Sequence, residues 1–220
     1  MKIDVLTLFP DMFKVILENS IIRREISSNK VSINLVNIRD FSTLSNNQVD
    51  DTPYGGGGGM VLMCEPVFSA IESVKKENSY VVMLTPSGKL YNQSKACEFS
   101  KKEHLIILCG HYEGFDERIK TLVDEEISIG DFVLTGGEIP AMSIIDSVTR
   151  LVPGVISEES LTSESFTDNL LDYPVYTKPQ VFRGMKVPDV LISGDHKKIE
   201  EYRYSERVRL TKEKRPDLLK

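Results

Sequence analysis

The chain has 220 residues, 40% hydrophobic and 27% charged, enough for one fair-sized domain with an appendage or for two modest domains. No apolar run approaches a membrane span, and Met1-Lys2-Ile3-Asp4-Val5 brings in an acid too early for a signal peptide, so a cytoplasmic protein is expected. The net charge of −6 excludes a uniformly basic nucleic-acid coat.

In chain order, 3–8 is a short apolar run stopped by Pro10, and 11–17 reads as a helix. Residues 31–36 alternate apolar and polar, as a strand does. Residues 42–59 are polar and end in five glycines, a long loop of the kind that often carries function. An amphipathic helix follows over 65–76, with Val67, Phe68, Ile71 and Val74 on one face. Residues 80–84 are a β-rich run, ended by the turn residues Pro86-Ser87-Gly88, and 92–102 predict a helix. Residues 105–108 form a continuous apolar strand, the kind buried on both faces of a parallel sheet, and run straight into Cys109-Gly110-His111. Residues 127–134 are again apolar around a Gly130-Asp131 break, and 138–152 predict an apolar helix.

Residues 157–172 are rich in Ser, Thr and acids and read as a linker. Pro174, Pro179 and Pro188 prevent one long helix over 173–193; helices return over 197–210 and 212–219. Charge changes along the chain: 173–220 holds 12 Lys and Arg against 7 Asp and Glu, whereas 1–172 holds 15 against 26. Charge alone leaves the basic tail as either a polyanion contact or a solvated helix. The strand–helix alternation predicts an α/β fold with right-handed crossovers and a mostly parallel sheet. Ligands in such folds sit at the carboxyl edge of the sheet, where three loops fall: 85–88, 110–114 and 129–137.

Few residues show chemistry on their own. The five-glycine run lacks the Lys-Ser/Thr of a phosphate loop and contains no G-x-G-x-x-G. Two glycines flank Glu113 in the 110–114 loop, which suits close backbone approach to a polar ligand, and His111 reads as a base or as an ordinary loop histidine. Thr135 and Glu138 have capping-box spacing, and the turn around them could present backbone groups to an adenine edge or simply start a helix. Asp124-Glu125-Glu126 reads as a solvated acidic patch ahead of a metal site, and Arg150 as a complement to a helix dipole. Cys64, Cys97 and Cys109 have no metal-ligand spacing with one another or with His104, His111 and His196, so reduced thiols and no metal site are expected.

Six segments in order are more specific than any one of them: Leu8-Phe9-Pro10-Asp11-Met12-Phe13, Val49-Asp50-Asp51-Thr52-Pro53-Tyr54-Gly55-Gly56-Gly57, Cys109 to Arg118, Ser128 to Glu138, Asp146 to Val155, and Leu170-Leu171-Asp172-Tyr173-Pro174. Together they resemble the TrmD family of bacterial tRNA (guanine-N1)-methyltransferases, in the SPOUT superfamily, nearly end to end. The resemblance implies a SPOUT-type α/β domain with a deep trefoil knot over 1–160, a linker over 161–172, and a small helical tRNA-binding domain over 173–220. It implies a homodimer in which the second subunit's linker covers the substrate. It implies S-adenosyl-L-methionine as methyl donor, held by Thr85, Pro86, Ser87, Gly88, Gly110, Glu113, Ile129, Gly130, Asp131, Phe132, Val133, Leu134, Gly136 and Gly137. The implied partner is tRNA with guanosine 37, beside the anticodon. Magnesium is compatible with the family's behaviour but does not follow from these residues.

The chemistry that the resemblance implies needs a base and a cation. Guanine N1 carries a proton at neutral pH, and removing it sends negative charge toward O6. The resemblance places Arg150 at O6. The family usually has Asp before Ser-Phe in the linker; here Ser163-Glu164-Ser165-Phe166 makes Glu164 the expected base, with Asp168 and Asp172 as rivals. Gly58 stands where the family often has Pro, and His111 where it often has Arg. Two other readings compete: a related enzyme methylating ribose or ribosomal RNA, and a non-catalytic RNA-binding protein that kept the fold.

Overall fold

A computed structural model describes residues 1–157, 160–161 and 164–219 of the chain. They fall into two compact units, Met1–Ile156 and Ser157–Lys220. The expected linker over 161–172 includes Thr162 and Ser163, which lie outside the described residues.

In the first unit, β1 (Lys2–Thr7), β2 (Ser32–Asn37), β5 (Ser79–Leu90), β6 (His104–Cys109) and β7 (Glu125–Ser128) make one five-stranded sheet. Its order is β2-β1-β6-β5-β7, and every pairing is parallel. Two further short strands, β3 (Asp50–Asp51) and β4 (Val61–Leu62), pair antiparallel and flank the glycine run, so the expected 42–59 loop is a hairpin excursion rather than free chain. The helices are α1 (Lys14–Leu17), α2 (Ser20–Ser27), α3 (Cys64–Val74), α4 (Gln93–Phe99) and α5 (Glu138–Thr149).

The period of two in the strands decides the layers. Ile3, Val5, Val82, Leu105 and Ile107 share a core with Ile22 of α2, Phe99 of α4 and Ala141, Ile144, Ile145 and Val148 of α5. Leu6, Val81, Met83, Ile106 and Leu108 share the other core with Val67, Ala70 and Ile71 of α3. Helices therefore cover both faces of the sheet, and β6, at its centre, is buried throughout. Full burial of successive residues on opposite faces explains why this strand is apolar without alternation.

Three local readings change in the structure. The run over 80–84 does not end at Pro86; β5 continues to Leu90, and its register against β7 jumps between Leu84 and Lys89, both opposite Ile127. Residues 85–88 are thus an excursion from the sheet rather than a turn closing a strand. Helix α5 starts at Glu138 with Gly137 before it and no side-chain cap, so Thr135 and Glu138 form no capping box. The Glu138 carboxylate instead accepts a hydrogen bond from Thr7 Oγ1 at 2.8 Å, at the end of β1. Finally, α2, which buries Ile22 and Glu25 with Ile21 and Ile26 half-buried beside them, is a helix not among those expected from the sequence.

In the second unit, 164–172 is folded onto one long helix, α6 (His196–Lys214), and the second expected helix is a short 3₁₀ turn at Pro216–Leu219. Thr211 is fully buried in α6 and accepts from the Leu171 amide at 2.8 Å. Arg207 grips both oxygens of Asp168, at 3.0 and 2.5 Å. Asp195 caps α6, accepting from the Lys198 amide. Ahead of it lie a small hairpin, β8 (Val181–Phe182) with β9 (Met185–Lys186), and a 3₁₀ turn at Asp189–Ile192.

The amino edge of the large sheet carries a buried polar cluster. Asp4 accepts from Lys2 Nζ at 2.6 Å and Asn34 Nδ2 at 2.9 Å, and meets His104 Nε2 at 2.6 Å. The other ring nitrogen of His104 lies 2.7 Å from Ser79 Oγ, so His104 ties three strands together rather than serving a metal. Burial alone would push the Asp4 carboxyl up, but hydrogen bonds from Lys2, Asn34 and His104 outweigh it and hold the group below the usual carboxylate range. Asp4→Asn is expected to lower stability by about 1.5–3 kcal/mol near pH 7. A carboxyl that titrates lower when folded stabilises above its unfolded pKa of about 4, and that contribution fades as pH falls through the folded value. Denaturant titrations of the two proteins should therefore converge in acid.

Candidate active site

Three segments meet at the carboxyl edge of the sheet: the excursion from β5, the loop after β6 and the loop after β7. They enclose a cleft of about 470 Å³, within the range of small-molecule sites. Thr85, Pro86, Ser87, Gly110, Glu113, Ile129, Gly130, Phe132, Val133, Leu134, Gly136 and Gly137 line it. His111, Tyr112 and Thr135 of the same expected loops join them, as do Met83, Leu84, Phe115, Glu117, Lys120 and Pro140, which sequence reasoning did not place there. A signal existed for several: they continue the same strands and loops by one to a few residues.

Two glycines set the geometry. Gly137 donates its amide to Gly110 O at 2.8 Å, and a Cβ on it would stand 2.7 Å from Cys109 Cα and 2.8 Å from Gly110 N. No side chain fits between α5 and the end of β6, so the loops after β6 and before α5 press backbone on backbone. A bridge between His111 and Gly136 extends this contact. Gly88 acts alike on the other side. Its Cβ would meet Ile127 N at 2.4 Å, so the excursion crosses β7 with nothing between. Gly88 itself does not line the cleft, and neither does the exposed Asp131.

The walls are mixed. Leu84, Pro86, Ile127, Ile129, Leu134 and Pro140 supply apolar surface; Glu113, Glu117 and Lys120 supply charge. Glu117 and Lys120 pair at 3.0 Å, and the bond from Glu117, more than solvation, keeps the lysine protonated to higher pH. Asp116, just outside the cleft, is held far below the usual carboxylate range by its bidentate bonds from Arg118. His111 stacks near Phe9 and Tyr112, each at 5.0 Å between ring centroids, and its Nδ1 is buried with no hydrogen-bond partner. An orphaned buried polar atom on a residue that lines a cleft is a feature that a bound ligand could explain. Under the floor, Cys109 is fully buried, and burial with the nearby Glu138 carboxylate pushes its thiol well up. Among the described residues no group of His, Cys, Asp and Glu could hold a metal ion.

The two expected catalytic residues are not part of this cleft's lining. Arg150 follows α5, whose other end abuts the cleft; twelve helical residues put roughly 18 Å between the two ends. It is half-buried and its amide bonds Asp146 O at 3.2 Å. Glu164 belongs to the second unit, where its carbonyl accepts from the Thr167 amide at 3.3 Å. Of its rivals, Asp168 is occupied by Arg207, and Asp172 accepts from the Tyr173 amide at 2.7 Å.

The cleft geometry accompanies a whole-chain match: residues 1–220 match the family described as tRNA (Guanine-1)-methyltransferase TrmD. The chain belongs to the TrmD family. Among similar proteins is the tRNA (guanine-N(1)-)-methyltransferase of Malacoplasma penetrans, 60% identical over 218 residues, which covers 99% of this chain and 96% of the relative. Those of Carboxydothermus hydrogenoformans and Caldanaerobacter subterraneus are 56% and 55% identical over 222 residues, covering 100% of this chain and 88% and 92% of the relatives. TrmD membership makes the chain a methyltransferase acting on tRNA, which requires a methyl donor. No helix among the described residues is long and apolar enough to cross a membrane.

Gly137→Ala is expected to cost about 1–3 kcal/mol, because the methyl must push backbone away from backbone. Gly58→Ala, where the space is open and φ is ordinary, should stay within about 0.5 kcal/mol of the parent. Chemical denaturation of both variants checks the contrast; equal midpoints would refute the close approach at Gly137.

Proposed function

We propose that this TrmD-family chain transfers a methyl group from S-adenosyl-L-methionine to N1 of guanosine 37 in tRNA, giving 1-methylguanosine and S-adenosyl-L-homocysteine. The observation that carries the reading is the meeting of the three expected segments in one cleft at the carboxyl edge of a parallel sheet, in a chain matching TrmD throughout. The residues present fit the donor. The apolar wall suits a flat heteroaromatic ring, the backbone around Ile129, Leu134 and Gly136 can read its edge, and Glu113 suits a sulfonium charge. The unsatisfied His111 Nδ1 gives one further polar contact.

Bound S-adenosyl-L-methionine supplies a methyl already activated by positive sulfur. The chain's own work is to orient and to move one proton. Holding reactants in line contributes roughly 7–11 kcal/mol, more than any single group. Glu164 takes the N1 proton in this reading, a role worth about 10²–10⁴-fold. Arg150 faces O6, where its fork of donors both orients the base and meets the developing charge. The separation of Arg150 from the cleft along α5 supports a site completed by a second copy of the chain. Exposed Met12, Val15 and Ile139, on or beside elements packed at α5, support a homodimer. The tight crossing at Gly88 supports a threaded, trefoil-knotted arrangement of the first unit. The basic residues over 173–220 support tRNA binding by the second unit, and a tRNA-modifying task supports a cytoplasmic location.

The test is incubation with methyl-labelled S-adenosyl-L-methionine and a tRNA transcript bearing guanosine 37. Label on N1 is expected; label on ribose, or none, would overturn the reading. Glu164→Gln should lower single-turnover rate about 10²–10⁴-fold while leaving donor binding intact, and an undiminished rate would remove Glu164 from the mechanism. Affinity for tRNA should fall steeply between low and moderate salt, as phosphate contacts require.

A further inference from the structure

The second unit holds a cleft of its own, of about 640 Å³, between the 173–180 segment, the hairpin and α6. Tyr173 and Tyr176 stand on one wall, Leu191 and Ile199 supply apolar surface, and Arg203 reaches in from α6. The Arg203 guanidinium lies over the Tyr173 ring, 4.9 Å from its centroid, and one of its terminal nitrogens donates to Glu200 at 3.0 Å. Its Nε is buried and meets no acceptor. A buried N–H of a permanent cation left unsatisfied is costly, and an acceptor brought by a ligand would remove that cost.

The hairpin forms the rim. Val187 N donates to Gln180 O at 3.0 Å to close it, and both residues line the cleft. At its tip Arg183 and Gly184 both have positive φ, of 49° and 80°, the backbone of a two-residue turn that matches strand twist. That turn presents Phe182, 54% exposed, with Arg183 lying 5.2 Å over its ring. Lys178 adds charge inside the rim. A rigid turn that holds an aromatic ring and a cation in solvent, next to a tyrosine-lined cleft with an orphan donor, has the composition of a single-stranded nucleic-acid site. Rings stack on base faces, and the guanidinium N–H takes an acceptor on a base edge.

We propose that this cleft captures an unpaired nucleobase of the tRNA, stacked against Tyr176 and hydrogen-bonded to Arg203 Nε, with Phe182 and Arg183 holding the adjoining nucleotide. The assignment rests on tRNA being the substrate, as proposed above. It makes the second unit a reader of exposed bases and not only a grip on phosphate.

The test compares the full chain with Tyr176→Ala, Phe182→Ala and Tyr176→Phe, using unmodified tRNA transcript. Each alanine variant should raise the KM for tRNA roughly tenfold, the size of one lost stacking contact. It should leave kcat at saturating tRNA and the Kd for S-adenosyl-L-methionine within about twofold, and Tyr176→Phe should restore the KM. Stacking releases no counterions, so the slope of affinity against salt should not change. With 4-thiouridine-substituted transcripts, ultraviolet cross-links from the cleft should map to unpaired positions. Unchanged KM values in a methylating enzyme, or cross-links to helical positions alone, would overturn the proposal while leaving the activity standing. Absence of methyl transfer by the parent chain would instead overturn the activity. A change of oligomeric state without a change in KM would assign the cleft to a second copy, and binding of free guanosine monophosphate with tRNA KM unaffected would assign it to a mononucleotide. Either result sinks the proposal.

Discussion

The contact on which the first unit depends is backbone against backbone at Gly137 and Gly110. The end of β6 and the start of α5 touch with no side chain between them, and the hydrogen bond from Gly137 N locks the pair. That contact fixes where the loops after β6 and β7 go, because α5 leads out of the second of them. Gly88 performs the matching service for the excursion from β5. The cleft is what remains when three chain segments are forced this close at one edge of a sheet whose other edge is tied by Asp4 and His104. Its shape follows from missing atoms more than from any charged group.

Such an arrangement suits a transfer in which the reactive group arrives already activated. In the reaction proposed above, little is asked of the protein beyond alignment, one proton acceptor and one cation. A cleft with mostly backbone and apolar surface, a paired Glu117–Lys120 and a single orphan nitrogen on His111 is a positioning device. Arg150, at the other end of α5, and Glu164 are not among the residues that line it.

How far this was legible from sequence depended on whether the cause was local. The apolar run over 105–108 read correctly as a doubly buried strand because burial on both faces leaves a one-dimensional trace. The Thr135–Glu138 spacing misled because Glu138 is bound by Thr7, 131 residues away, a partner no window contains. Helix α2 went unassigned although Ile21, Ile22 and Ile26 share one face; the fourth position of that face is Glu25, a buried charge held by Arg24 and Lys30. That the loops over 85–88, 110–114 and 129–137 would meet at the carboxyl edge of the sheet was legible in the strand–helix alternation, and the crossing at Gly88 was not, since glycine in a sequence does not say what it lies against. Nor did the proline-rich 173–193 stretch announce a cleft; its walls come from α6, whose Ile199 and Arg203 are distant in the chain.

The burial of Cys109 has a consequence for self-protection. Sulfur nucleophiles are the natural victims of alkylating agents, and this one is adjacent to Gly110 in a cleft fit for a methyl donor. Attack needs the thiolate, and low-dielectric surroundings together with the neighbouring Glu138 keep the proton on. The same tight packing that shapes the cleft thus keeps the Cys109 thiol beneath it in its unreactive, protonated form.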